Sequence, residues 1–317
     1  MSKSVMGIIY AALAGICWGT YGTFVAILSN MGYSETTIAI CGPAVMVLFF
    51  LICALVKNPS GLKLNKKGII IYLAVGLVGV IGSNWCYAKG ITAGTPVAVA
   101  SVLTFLNYFL VVVIARVVWK NKITPAKIIS GIVAIFGIVL ILQVWTTLSI
   151  TIPGLLWMIT VIVAFAVGYS LCNYAVGEGY DYDAYLFWTN LVAIVALSFL
   201  MPPWGIVAEI SVSVSHHGAV SIIALLGLGL IPMVGSYFFL LRAFANLEAP
   251  LVVIMYSLDP IVAAILGYFV LGQPLSVIQI LGMGVVIAAL AWLQLIERKE
   301  QKTREDNQPT QQAAKSL

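Results

Sequence analysis

The sequence predicts an all-α integral membrane protein with ten transmembrane helices arranged as two inverted five-helix repeats. Three observations carry that expectation. Of 317 residues, 62% are hydrophobic and 9% charged, and the mean hydropathy is +1.08, whereas an average soluble domain carries roughly 25% charged residues. Apolar runs of about 20 residues, the length that crosses the hydrocarbon core of a bilayer, recur along the chain. Finally, a stretch beginning at Gly82 comes into register with one beginning at Gly235. A soluble globular fold is excluded, because so little charge cannot cover a surface that faces water. The net charge of +5 then reads as basic loops, and no nucleic-acid partner is implied. Cys17, Cys41, Cys53, Cys86 and Cys172 all lie in apolar runs without a CxxC pair, so they read as small buried hydrophobes and support neither disulfides nor zinc.

Turn and charge clusters divide the chain into spans at about 5–28, 36–56, 68–88, 95–118, 126–144, 152–175, 184–203, 218–241, 249–271 and 275–296. The first run carries bulky Trp18 where a signal peptide would need small residues for cleavage. It therefore reads as a helix. Lys57, Lys63, Lys66 and Lys67 separate the second and third spans, and Arg116, Lys120, Lys122 and Lys127 separate the fourth and fifth. Between the seventh and eighth, PPWGIVAEISVSVSHHG reads as an external loop whose two histidines are solvated. After Glu297 the chain turns polar and aperiodic, so residues 298–317 are expected to form a disordered cytoplasmic tail. The two repeats are expected over 1–148 and 149–297. With the N-terminus inside, every Lys and Arg except Lys89 falls on the cytoplasmic side, as basic residues in short loops do. Both termini of a multi-pass cell-membrane protein are thus expected in the cytoplasm.

The repeat is visible in short motifs. GSNWCYAKG from Gly82, TPVAVASVLTFLNYF, WKNKIT from Trp119 and Gly131 correspond to GSYFFLLRA from Gly235, APLVVIMYSLDPI, LGQPLS from Leu271 and Gly282. An odd number of helices in each half makes the repeat inverted, a recurring transporter design in which the binding site lies between the halves near the midplane. At these residues, and at WGTYG from Trp18, SLDPI from Ser257 and LGQPLS, the chain resembles the EamA family of the drug/metabolite transporter superfamily over about residues 5–296. That resemblance implies a secondary active transporter. Three positions depart from the family pattern: Gly42-Pro43 stands where the second helix usually has an arginine, and Asn121 and Gln273 replace glutamates after the fourth and ninth helices.

Polar groups inside the spans are costly and so nominate a site. Asp259 lies near the centre of the ninth span, and Pro260 after it opens the helix and frees the carbonyl of Tyr256. Its alternative role is to cap that kink. Asn107 and Thr104 occupy the matching positions of the fourth span, with interhelical hydrogen bonding as the plainer reading. Asn84, Tyr87 and Tyr237 form a second matched polar-aromatic set, while Trp18 and Tyr21, together with Trp188, are candidates for stacking on a substrate. Lys89 and Arg242 are matched by the repeat and fall at opposite membrane faces, either snorkelling to headgroups or attracting a substrate anion at the two cavity mouths. Gly76, Gly79 and Gly82 read as sites of close helix contact. No phosphate loop, nucleotide motif or cofactor motif appears.

The function these residues and the resemblance imply is export or exchange of a small polar metabolite, such as an amino acid or related compound, by alternating access; a proton is the candidate coupling ion. A receptor or regulatory membrane subunit would explain the same ten helices without a transport cycle. A membrane enzyme fits poorly, since both histidines lie far from any membrane-embedded serine. Oligomeric state is left open by the sequence. Reporter fusions after residues 60 and 121 and at the C-terminus are expected to read cytoplasmic, and one after residue 215 external; an external signal between Lys63 and Lys67 overturns this topology.

Overall fold

The computed structural model describes residues 3–93, 95, 103–120, 123–146, 151–199, 202–272, 275–293 and 295–296. Asn121, Gln273 and the tail at 298–317 lie outside the described residues. Among the described residues, ten apolar helices follow the ten predicted spans. In the first half, α1 runs Lys3–Gly19 and, after a hinge at Thr20, Tyr21–Asn30; α2 is Glu35–Lys57; α3 joins Lys66–Ala74, a π-helical stretch Val75–Ile81 and Gly82–Thr92; α4 is Leu103–Val118; and α5 is Pro125–Leu142. The second half repeats the order with α6 at Ile152–Gly177, α7 at Tyr182–Leu197, α9 at Ala219–Leu228, π-helical Gly229–Gly235 and Ser236–Phe244, α10 at Ala249–Leu271 through a 3₁₀ turn, and α11 at Val277–Leu293. One correction concerns the stretch from Pro202 to Gly218. Rather than a loop it is a helix, α8, Pro203–His217, with Trp204 and Val207 exposed and Ile206 packed beside Ile40 and Leu197. Proline at its start presets the helical φ and loses no needed amide.

Local chemistry sets where the helices begin. Ser34, Thr124, Thr151 and Asp181 cap α2, α5, α6 and α7 by accepting from the amides of Thr37, Lys127, Gly154 and Ala184. Each bond satisfies a donor that the first helical turn leaves over. The outward faces are apolar at helical spacing: Leu48, Ile52 and Val56 on α2, Ile129, Ile132 and Phe136 on α5, and Leu156, Ile159 and Val163 on α6 are all exposed. In water such a surface would aggregate, whereas against lipid tails it costs nothing.

Interior packing relies on close backbone approach. A Cβ on Gly76 would meet the Thr189 carbonyl at 2.7 Å and one on Gly82 the Ala164 side chain at 2.8 Å, while Gly79 lies against Gly168. The glycines of α3 thus press it against α6 and α7. Gly137 and Gly282 do the same for α5 and α11, each within 3 Å of the other's carbonyl oxygen once a Cβ is added.

Polar contacts between the halves gather at the two ends of the bundle. At the end holding Lys3, ion pairs join Lys57 to Asp183 at 2.8 Å, Lys67 to Glu178 at 3.3 Å and Lys127 to Glu248 at 2.7 Å. Asn58 donates to Asp181, and the Trp188 indole donates to the Leu62 carbonyl. At the opposite end, Glu209 of α8 accepts from the amide and hydroxyl of Ser34, and Tyr33 shares a hydrogen bond with Ser221. Burial opposes ionisation of Glu209, yet hydrogen bonds from Thr37 and Ser34 outweigh it and hold the carboxyl below its ordinary range.

Gly282→Ala is expected to destabilise the protein by about 1–3 kcal/mol, because its Cβ lands 2.7 Å from a backbone oxygen. Gly284→Ala, where nothing lies within 4 Å, should change stability by less than about 0.5 kcal/mol. Thermal unfolding in detergent, followed by tryptophan fluorescence, compares the two.

Candidate functional site

The centre of the bundle is organised by two helix breaks at matched positions. In α10, Pro260 has no amide to offer the Tyr256 carbonyl, and the amide of Asp259 takes that carbonyl in a 3₁₀ turn, Tyr256–Leu258. In α4 the amide of Leu106 bonds the Leu103 carbonyl and that of Phe109 the Leu106 carbonyl, again at the shorter spacing. Here the Asn107 side chain donates to the Thr104 carbonyl at 2.5 Å. The Asn107 carbonyl oxygen is buried without a hydrogen-bond partner. Helix α1 lies across the α10 break: a Cβ on Gly15 would be 2.8 Å from the Tyr256 carbonyl oxygen, and one on Gly19 would be 2.6 Å from that of Asp259. Only glycine allows the opened backbone to be covered so closely.

Aromatic rings collect beside this crossing. Trp18 stacks on Tyr21 with ring centroids 5.2 Å apart and meets Tyr237 edge-on at 6.1 Å and Tyr256 at 6.3 Å. Tyr169 of α6 reaches Tyr256 at 6.3 Å. The Tyr256 hydroxyl donates to Ser236 Oγ at 2.8 Å, and Ser236 donates onward to the Ala14 carbonyl. Asp259 is half-buried, lies within electrostatic reach of Tyr169 and Tyr256, and enters none of the three ion pairs.

Next to the aromatic cluster is a cavity of about 40 Å³ between α3 of the first half and α6, α7 and α9 of the second. Ser83, Tyr169, Tyr185, Thr189, Asn190 and Tyr237 supply its polar wall. Thr189 donates to the Tyr185 carbonyl at 2.8 Å and Asn190 to the Leu186 carbonyl at 2.8 Å, both within α7. The Tyr185 hydroxyl is buried and without a hydrogen-bond partner.

Of the residues singled out by sequence, Tyr237 lines this cavity, while Trp18, Tyr21, Tyr256 and Asp259 stand in the cluster beside it. Tyr87 comes within electrostatic reach of Tyr21, and Asn84 and Thr104 are half-buried. Neither Asn107 nor Asp259 lines the described cavities. Lys89 is exposed, its ammonium 5.5 Å from the Trp85 ring. Arg242 lies over Phe238 at 3.4 Å and donates to its carbonyl, near Lys57 and Asp183 at the other end of the bundle. Trp188 stacks on Tyr72 at 6.5 Å, away from Trp18. Sequence reasoning passed over Tyr185, Thr189 and Asn190. A Thr-Asn pair inside an apolar run was the available signal.

The comparisons with known proteins agree with this architecture. The sequence model of the EamA-like transporter family matches residues 5–143 and 152–295, one match in each half. The uncharacterized transporter YyaM of Bacillus subtilis (strain 168) is 24% identical over 292 residues, covering 88% of this chain and 91% of that protein. A protein of known crystal structure superposes with a TM-score of 0.73 at 17% identity, covering 94% of this chain and 98% of that one. At that identity the likeness concerns the fold.

Proposed function

We propose, from the premise that this chain belongs to the EamA-like transporter family, that it is a secondary active exporter or exchanger of a small polar metabolite. Amino acids and related compounds are the first class to screen. The repeats at 1–148 and 149–297 would move against each other, opening the cavity to one face of the membrane and then to the other, with both termini in the cytoplasm. One observation above all supports this reading: residues of both halves meet at matched helix breaks beside a central cavity, and polar contacts between the halves close both ends of the bundle. Broken helices at mid-depth are where transporters commonly hold substrate and ion. Releasing one set of end contacts while keeping the other is the motion alternating access requires. The exposed Lys67–Glu178 pair contributes little, whereas Lys127 and Asp183 are buried, so opening that end requires other contacts to offset the pairs they lose.

Asp259 is our candidate for carrying or gating a coupling proton. The other acidic side chains of the described helices and loops, such as Glu178, Asp181, Asp183, Glu209 and Glu248, lie at helix ends or on α8. Asp259→Asn keeps the size and most of the hydrogen-bonding capacity of the side chain but cannot titrate. In sealed vesicles containing the purified protein, this variant should bind substrate as before and lose the pH dependence of uptake. An unchanged rate and pH profile would mean that Asp259 only shapes the helix break and that exchange proceeds without protons. Failure of the wild-type protein to move any solute of the screen would remove the transport reading in favour of a receptor.

A further inference from the structure

The proposed function leaves the chemical class of the solute open, and the cavity wall narrows it. All fifteen lining residues are neutral: none is Asp, Glu, Lys, Arg or His. Lys89 and Arg242 are at the ends of the bundle, and Asp259 lies outside the wall. A carboxylate held here would lose its water and gain no counter-ion, and an ammonium would touch no carboxylate, Asp259 lying within electrostatic reach of Tyr169 but outside the wall. Hydrogen-bonding groups, by contrast, are present as a small set on a largely apolar wall. The hydroxyl protons of Ser83 and Thr189 and one of the two amide protons of Asn190 go to the carbonyls of Val80, Tyr185 and Leu186 in their own helices. Their oxygens retain acceptor capacity toward a ligand. The Tyr185 residue is 3% exposed, and its hydroxyl has for a hydrogen-bonding neighbour, among the described residues, only the Cys172 thiol, a weak acceptor that a ligand oxygen would readily displace.

We infer that this cavity is the ligand seat and that it takes a solute without ionised groups, a neutral molecule rich in hydroxyl or amide donors, with Tyr185 donating to it and Ser83, Thr189 and Asn190 accepting from it. The inference rests on the transport reading and restricts it, setting aside the amino acids named there, which are ionised at pH 7, in favour of neutral solutes. At about 40 Å³ the seat holds a few waters, each needing about 10–15 Å³, so a metabolite enters only if the wall parts. The wall parts most simply where Gly79 of α3 faces Gly168 of α6, so close that a Cβ added to either would lie within 3.4 Å of the other's Cα, at a contact between the halves. Filling the seat therefore separates the halves, which joins recognition to the conformational cycle.

The test is thermal shift of the full-length protein in detergent at pH 7 with D-ribose and nicotinamide as neutral probes and alanine, glutamate and putrescine as charged ones. At least one neutral probe should raise the melting temperature, and none of the charged ones should. Tyr185→Phe keeps the ring and removes the donor, so that probe should bind roughly five- to tenfold more weakly. Thr189→Val, which removes an acceptor, serves as a second variant should Tyr185→Phe melt below the wild-type protein when no probe is added. The proposal is overturned if both neutral probes leave the wild-type protein unmoved, if a charged probe is the one that stabilises it, or if the neutral shift survives both substitutions unchanged. Vesicle flux separates this outcome from the broader reading. Movement of alanine but not of the neutral probes sinks the neutral seat and keeps the transporter, whereas binding of a neutral probe without flux keeps the seat and sinks transport.

Discussion

In hydrocarbon a backbone amide or carbonyl has no water to fall back on, so a helix can open at mid-depth only if the protein supplies other partners. The structure depends on how it meets that requirement in α4 and α10. A 3₁₀ turn pairs the Tyr256 carbonyl with the Asp259 amide, and the Asn107 side chain covers the Thr104 carbonyl at the matching place in the first half. Helix α1 then closes over the α10 turn because Gly15 and Gly19 place no side chain in the way. That close approach brings Trp18 against Tyr256 and Tyr237, so the aromatic cluster follows from the break rather than being added to it.

The same economy of side chains governs the interface between the halves. Where α3 meets α6 and α7, glycines allow close backbone packing in the middle of the contact, flanked by aromatic pairs such as Trp85 with Trp157 and Tyr72 with Trp188. Most directional contacts gather at the two ends, as ion pairs at one and as the Glu209 and Tyr33 hydrogen bonds at the other, with the Ser236 bond to the Ala14 carbonyl at mid-bundle. A glycine-lined middle with polar contacts at both ends is the arrangement that the proposed motion calls for.

The repeat also explains why the two halves are alike in backbone and unlike in chemistry. The π-helical stretches Val75–Ile81 and Gly229–Gly235 end beside the matched glycines Gly82 and Gly235, so both third helices carry the same irregularity. Each packs on the matching pair of helices from the opposite half, the first on α6 and α7 and the second on α1 and α2. Of the two π-helical stretches only the first, through Val75, Gly79 and Val80, borders the described cavity of about 40 Å³, with three polar residues of α7 opposite. The site is therefore asymmetric although the scaffold is not.

Much of this was legible in the sequence, for physical reasons that can be stated. Helix number and span follow from apolar length against bilayer thickness, the repeat from glycines and prolines that act on the backbone locally, and the break at Asp259-Pro260 from the missing proline amide. The close-contact role of Gly76, Gly79 and Gly82 was readable too, since small residues mark helix crossings in lipid. Less visible was α8, where a short run of mixed polarity has no span-length signature and was read as a loop. Least visible was the cavity wall. Tyr185, Thr189 and Asn190 meet Ser83 and Tyr169 only because α7 packs against α3 and α6, and which face of an apolar helix turns inward is decided by its neighbours. Local covalent and length constraints determined the spans, the repeat and the helix break, whereas the choice of which polar side chains converge was left to tertiary packing, because it depends on contacts between residues far apart in the chain.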